Sequence, residues 1–338
     1  MRTLSAFALA ILASFPAAAW NRGQVTTFAV LPAGATGPEG IEVDSAGNVY
    51  VATFGFNAQG AVGGEGQLYV FDDEGMLVRQ VSVAGSTSHL LGLRFQPRTH
   101  KLLVIDFGGA KVFDVDPTTG ASKVFMTVPD ANAAGLNDIT FDKEDNVYVS
   151  DSFQGIVWKT GQQGGMASSW VADKLLTTTG YPPFGANGLR FNKKEDALFV
   201  ANTGDDTIIK IPVTAGSPGK AQVFTESING ADGLIIDEHD NLWVCANQAD
   251  EIVVVDPTGR AIAKLGDFDG IDSRGEPVGL LFPASLKFHG EFLYVTNLSL
   301  DLRLFLLPQS VDSQWAAQVT RHTVARIPRH IPPVRGLR

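Results

Sequence analysis

The stretch Asn187-Gly188-Leu189-Arg190-Phe191-Asn192, followed after a polar turn by Ala197-Leu198-Phe199-Val200-Ala201, decides the fold, because it recurs along most of the chain. Other strong copies are Glu39-Gly40-Ile41-Glu42-Val43-Asp44, Asn137-Asp138-Ile139-Thr140-Phe141-Asp142 and Asp232-Gly233-Leu234-Ile235-Ile236-Asp237, and weaker ones begin at Leu91 and Ala284. The six starting residues, Glu39, Leu91, Asn137, Asn187, Asp232 and Ala284, are separated by 52, 46, 50, 45 and 52 residues. A period of roughly 40–50 residues built from short strands is the signature of a propeller. The expected fold is therefore all-β: a six-bladed β-propeller with about four antiparallel strands per blade. Equivalent positions of a propeller surround one axis, so Glu39, Asn137, Asn187 and Asp232 are expected to meet at one mouth of the central channel.

Each phrase ends in a tight polar turn, such as Asp142-Lys143-Glu144-Asp145 or Asp237-Glu238-His239-Asp240, which suits a hairpin. Third strands follow, for example Gly155 to Lys159 and Glu251 to Val255, with turns such as Asp256-Pro257-Thr258-Gly259 leading into fourth strands. Gln24 to Leu31 resembles these outermost strands and is expected to complete the last blade, closing the ring between the chain ends. A hairpin returns the second strand to the level where the phrase began. Thr53, Asp106, Asp151, Asn202, Asn247 and Asn297 end the second strands, and are either a second polar ring or ordinary strand-exit turn residues. The long loops 54–66, 172–186 and 266–283 should overhang the same face, where Phe54, Phe56, Tyr181 and Phe184 are candidates for a pocket wall.

Residues 1–19 have the form of a signal peptide: Arg2, an apolar run from Leu4 to Phe15, then Ala17-Ala18-Ala19. The chain is expected to be periplasmic or secreted after cleavage near Ala19, with the propeller over 20–307 and a basic tail over 308–338. From Arg321 to Arg338 there are five Arg and two His and no acid; such a run either touches anionic partners or is a docked terminus. The formal net charge of −10 disfavours nucleic acid. No stretch reaches the roughly 18 apolar residues of a membrane helix, so a monomer without stable membrane insertion, acting on a small molecule, is expected. Cys245, the single cysteine, lies in an apolar run and reads as a buried small hydrophobe.

Two carboxylates and two amide carbonyls form a hard-oxygen set of formal charge −2, which suits Ca²⁺ better than Mg²⁺ and suits zinc poorly. The competing reading takes Asn187-Gly188 and Asp232-Gly233 as ordinary turn dipeptides.

On Pro38-Glu39-Gly40, Leu136-Asn137-Asp138, Ala186-Asn187-Gly188-Leu189 and Ala231-Asp232-Gly233-Leu234, in that order and at blade spacing, the chain resembles the senescence marker protein/gluconolactonase family of six-bladed propellers. That family is related to squid-type diisopropyl fluorophosphatase and serum paraoxonase, and the resemblance runs from Pro38 to Asn297. It implies that Glu39, Asn187 and Asp232 bind a central divalent cation, usually Ca²⁺, with Asn137 a ligand or a substrate contact. It also implies hydrolysis of lactones or phosphotriesters. Sugar-lactone members often carry an Arg two residues before the third-blade Asn; here that position is Gly135, which counts against aldonic sugar lactones.

The expected function is thus that of an exported Ca²⁺-dependent hydrolase of lactones or related esters, with the substrate carbonyl polarised at the axis. Asp232 is the residue expected to activate water or attack directly, with Asp151 and His89 as alternatives. A different class remains open: a non-enzymatic propeller that binds a small ligand or protein, with calcium in a structural role.

Overall fold

The repeated phrase folds as the innermost strand of each blade. The computed structural model describes residues 20–57, 59–305 and 311–332, with a cis peptide bond between Tyr181 and Pro182. The expected signal peptide lies outside these residues. Six antiparallel sheets each carry four principal strands; in the fifth blade these are, from axis to rim, Ala231–Ile236, Leu242–Ala246, Glu251–Val255 and Ala261–Leu265. The innermost strands touch their neighbours in a closed ring.

Second strands such as Val49–Thr53, Val147–Asp151 and Leu242–Ala246 are buried along their whole length. They lie between blades on both faces, which is why they read as continuous apolar runs rather than alternations. The hairpin before them is locked by one aspartate. Asp237 Oδ1 accepts the backbone N–H groups of His239 and Asn241, and its Oδ2 accepts Asn241 Nδ2 and Trp243 Nε1. Asp44 with Asn48 and Tyr50, and Asp142 with Asn146 and Tyr148, repeat this arrangement. The recurrent Asp-x-x-x-Asn-x-aromatic spacing is therefore a turn device.

Each inner strand carries a register irregularity over the first residues of its phrase, between Pro38 and Ile41, Leu90 and Leu93, Leu136 and Ile139, Ala186 and Leu189, Ala231 and Leu234, and Pro283 and Leu286. Such a bulge re-aims side chains. The glycines beside it serve crowding at the axis. A Cβ on Gly40 would sit 2.3 Å from the Leu91 carbonyl oxygen, and one on Gly188 would sit 2.6 Å from that of Asp232. Gly188 and Gly233 belong to bulged strands, so the reading of these dipeptides as ordinary turns does not hold.

The last blade runs Pro283–His289, Phe292–Asn297, Thr323–Pro328 and Thr26–Val30 from axis to rim. The N-terminal strand closes the ring as expected. The basic tail assigned from 308 onward needs correction, because residues 323–328 form the third strand of this blade between Phe292–Asn297 and Thr26–Val30. Two of its arginines are docked on acids, Arg321 on Glu276 at 3.2 Å and Arg329 on Glu238. The apolar inward residues Val324, Ala325 and Ile327 were hidden in the sequence by the arginines between and beside them. A chain ended at residue 322 is expected to lose its cooperative thermal transition in circular dichroism; a transition unchanged from the full chain would make this strand dispensable.

Candidate functional site

All four expected residues line one cavity at the axis. Glu39, Asn137, Asn187 and Asp232 share it with Thr203 and Asn247, and its volume is about 40 Å³. Each of the four is buried, and each sits in the irregular opening of its inner strand.

Hydrogen bonds fix how the amides face. Ser152 Oγ donates its single proton to the Ala186 carbonyl at 2.7 Å, so it can only accept from Asn137 Nδ2 at 3.3 Å. Thr203 Oγ1 likewise donates to the Ala231 carbonyl at 2.8 Å and accepts from Asn187 Nδ2 at 3.0 Å. Asn247 Nδ2 donates to Asp232 Oδ2 at 2.8 Å. The amide nitrogens are thereby committed to the protein, and the amide oxygens are the atoms left for a ligand.

Among the described residues that line the cavity, three buried oxygens have no hydrogen-bond partner: Glu39 Oε2, Asp232 Oδ1 and Asn247 Oδ1. Burial pushes the Asp232 carboxyl up to about 7, against hydrogen bonds from Asn247 and Asn187 that favour its charged form. Burial, with the charges of Asp232 and Asp138, also raises Glu39 well above the usual carboxylate range. Acceptors without donors, carrying two carboxylates, fit a hard divalent cation. Among the described residues no three His, Cys, Asp or Glu side chains are grouped for a metal, and the oxygen set here, two carboxylates and two amides with no His or Cys, is of a kind that suits zinc poorly.

The second polar ring expected from the strand ends is corrected by one residue. Asp151 pairs opposite Leu136 and Asn202 opposite Ala186, before the bulge, and both face away from the cavity. Asp151 accepts the Gly135 N–H and Trp158 Nε1, and Asn202 Nδ2 holds the Leu175 and Thr177 carbonyls. Neither lines the cavity, and Asp151 is not available as a base. Asn297 similarly anchors Leu281 and Gly279, and Asp106 anchors Thr87. The residue after each strand end is the one that matters: Ser152, Thr203 and Asn247 support the oxygen set, while Phe54 and Leu298 line the cavity from the first and sixth blades.

Apolar wall is also given by Phe184, Phe282, Leu300 and Leu302. Phe54 and Phe184 were expected here. Tyr181 packs on the adjoining apolar cluster, beside the lining residue Pro182, and does not itself line the cavity. Phe56 meets Phe54 at a tilt of 45°, and His89 lies edge-on to both with its Nδ1 3.2 Å from Ser88 Oγ. Burial lowers the His89 pKa, and this ring does not reach the cavity lining. The leucines at 298, 300 and 302 went unread, since their alternation looks like any strand.

Below the cavity the axis is closed by charge. Asp138 pairs with Arg190 at 2.7 Å and Arg94 at 3.9 Å, and Glu42 pairs with Arg94 at 3.5 Å and with Lys287. Glu42, Arg94, Arg190 and Lys287 each occupy the fourth position of their phrase.

Residues 86–266 match the model of the SMP-30/gluconolactonase/LRE-like region, more than half of the chain. The chain belongs to this family. Residues 26–54 also match the N-terminal region of strictosidine synthase-like proteins. The adipocyte plasma membrane-associated protein Hemomucin of Drosophila melanogaster is 26% identical over 176 residues, 46% of this chain and only 29% of its own length. Among solved structures, a gluconolactonase from Xanthomonas campestris superposes with a TM-score of 0.62 at 14% identity, over 92% of this chain and 91% of its own. The calcium-binding protein regucalcin from Agrobacterium tumefaciens gives 0.60 at 17%, over 89% and 94%. At such identities these likenesses speak for the fold alone.

Because folding raises the Asp232 pKa, the folded state binds more protons than the unfolded chain between about pH 4 and 7. The stability that this group contributes is therefore lost as pH rises through about 7. In protein stripped of divalent ions, Asp232→Asn is expected to raise Tm at pH 8 by about 2–5 °C and to raise it less at pH 5. A fall in Tm at pH 8, read by calorimetry, would contradict a strained buried carboxylate pair.

Proposed function

We propose that this chain is an exported hydrolase of lactones or related esters that works with one divalent cation, Ca²⁺, held by Glu39, Asn137, Asn187 and Asp232. The observation that carries the reading is the set of buried oxygens without donors, Glu39 Oε2, Asp232 Oδ1 and Asn247 Oδ1, on residues that line one axial cavity. Family membership supports the reaction class, and the leader-like residues 1–19 support export.

When bound, the cation supplies a Lewis-acidic centre for the substrate carbonyl oxygen. With positive charge beside it, Asp232 is ionised at neutral pH. Its Oδ2 is fixed by Asn247, which leaves Oδ1 to take a proton from an attacking water or to attack the carbonyl carbon itself. Asn137, held by Ser152, is a ligand or a contact to a substrate oxygen. The apolar wall excludes bulk water, which strengthens the electrostatics of the floor.

One observation favours a second reading, a binding propeller with a structural cation. A cavity of about 40 Å³ has room for an ion and a few waters, not for a whole lactone ring, unless wall side chains turn aside. Activity on a lactone panel separates the two. Hydrolysis abolished by chelator and restored by Ca²⁺ is expected, and Asp232→Ala should lower kcat/KM at least about a hundredfold while the circular dichroism spectrum is kept. Parental turnover in that variant would remove Asp232 from the chemistry, and a chelator effect on Tm alone would favour the binding reading.

Protons and cation compete for the same two carboxylates. The rise in Tm on adding Ca²⁺ is therefore expected to be larger at pH 8 than at pH 5.5, where protonation already relieves the pair. A Ca²⁺-induced shift that is equal at both values would place the ion elsewhere.

A further inference from the structure

We infer that the substrate of this site is uncharged and carries an apolar arm that lies along an arc of phenylalanines; the inference rests on the hydrolase reading above and names its substrate class. Four rings run in contact from one side of the cavity to the other. Phe54 meets Phe107 at 5.7 Å, Phe107 meets Phe153 at 5.7 Å, and Phe153 stacks on Phe184 at 5.7 Å and 29°. The two ends of the arc, Phe54 and Phe184, line the cavity. Its middle is open: Phe153 is 48% exposed, a large aromatic surface presented to water beside a built polar floor.

The chemistry of the lining narrows the occupant. Among the described residues no Lys, Arg or His lines the cavity, so a carboxylate or phosphate on the substrate arm finds no counter-charge in the wall. With the divalent cation bound, the two carboxylates of the floor balance its charge and leave no net positive charge to draw an anion. Thr203 and Ser152 spend their protons on neighbouring carbonyls, and the amide nitrogens of Asn137, Asn187 and Asn247 each give one N–H to a protein atom. Hydroxyl groups of a polyol would be buried against Phe54, Phe184 and Leu298 without partners, a cost that apolar groups do not carry.

Gly135 makes the aromatic choice structural. A Cβ at this position would lie 2.7 Å from Phe153 Cδ2 and 2.8 Å from its Cγ. The Phe153 ring fills the space into which a longer side chain at 135 would project, and so replaces a polar reach over the site by an apolar shelf. The sector formed by the sixth, first and second blades repeats the theme, since the position after the second strand is Leu298, Phe54 and Phe107 there, where it is Ser152, Thr203 and Asn247 in the other three blades.

The test is equilibrium binding of unreactive lactams to the full chain with Ca²⁺ present, by calorimetry. One set bears alkyl arms of increasing length, and one lactam bears hydroxyls in their place. Affinity is expected to rise about three- to fourfold per added methylene until the arm outgrows the arc, and the polyhydroxylated lactam should bind more weakly than any alkyl member. Phe153→Ser, at an exposed position that leaves the core intact, should flatten this slope, and Phe153→Leu should restore most of it. A flat slope in the parent protein, a slope indifferent to Phe153→Ser, or preferred binding of the polyhydroxylated lactam would overturn the inference. Turnover of the matching lactones is read separately. Alkyl-lactam binding without hydrolysis upholds the apolar arm and removes the hydrolase reading, whereas hydrolysis with a polyol preference does the reverse.

Discussion

Two carboxylates, Glu39 and Asp232, are buried on one axis with an oxygen apiece that no donor satisfies, and the rest of the structure is arranged to keep them there. Leaving such groups unpaired costs several kcal/mol in a dry interior. A fold tolerates that only when its backbone is fixed by many contacts made elsewhere. The closed ring of inner strands provides this. Each bulge turns the first phrase residue toward the axis, and each neighbouring glycine lets the next blade's carbonyl approach closely enough to hold the bulge in place.

The hydroxyl relays extend this constraint from blade to blade. Ser152 ties Asn137 of the third blade to Ala186 of the fourth, and Thr203 ties Asn187 of the fourth to Ala231 of the fifth. Thr296 joins the sixth blade to the Glu39 carbonyl at 2.7 Å, across the point where the ring closes. The orientation of each site amide thus depends on the position of the next blade, so the geometry of the floor is a property of the closed propeller and of no single sheet. Chain closure by Thr26–Val30 and Thr323–Pro328 is then a requirement of the site as well as of stability.

Much of this was legible in the sequence, for physical reasons that also explain what was not. Spacing alone gave six blades and identified Glu39, Asn137, Asn187 and Asp232 as a ring, because equivalent positions in a closed array must converge. The supporting ring was misread at Asp151 and Asn202 because a strand turns its side chains over at each residue. An offset of one moved the choice from Ser152 and Thr203, which face the axis, to neighbours that pin loops. Asn247 was found because the fifth-blade pairing ends one residue earlier, at Ala246. The strand at 323–328 was hidden because Arg326 interrupts its apolar residues and Arg321 and Arg329 flank it; Arg326 lies over the Phe292 ring, and the flanking pair find acids, only in the folded protein. Leu298, Leu300 and Leu302 could not be placed over the axis at all, since no local pattern encodes what a connection covers.

The bulge also accounts for the charge beneath the cavity. In a regular strand, residues three apart point to opposite faces, yet Glu39 and Glu42 both turn toward the axis, and the irregularity between Pro38 and Ile41 supplies the extra residue that permits it. The same step brings Arg94, Arg190 and Lys287 inward from three other blades. Three cations against the two carboxylates Glu42 and Asp138 leave that level with a formal charge of +1, directly behind a floor of −2. Asp138 feels both levels: burial lifts its carboxyl to about 6 although Arg94 pulls it down, and its charge in turn raises Glu39. The lower level fills the channel with paired side chains, leaving a void of only about 10 Å³. Ligands therefore reach the floor from the loop face, past Phe54, Phe184 and Leu302, and the residues that select them belong to those loops rather than to the blades.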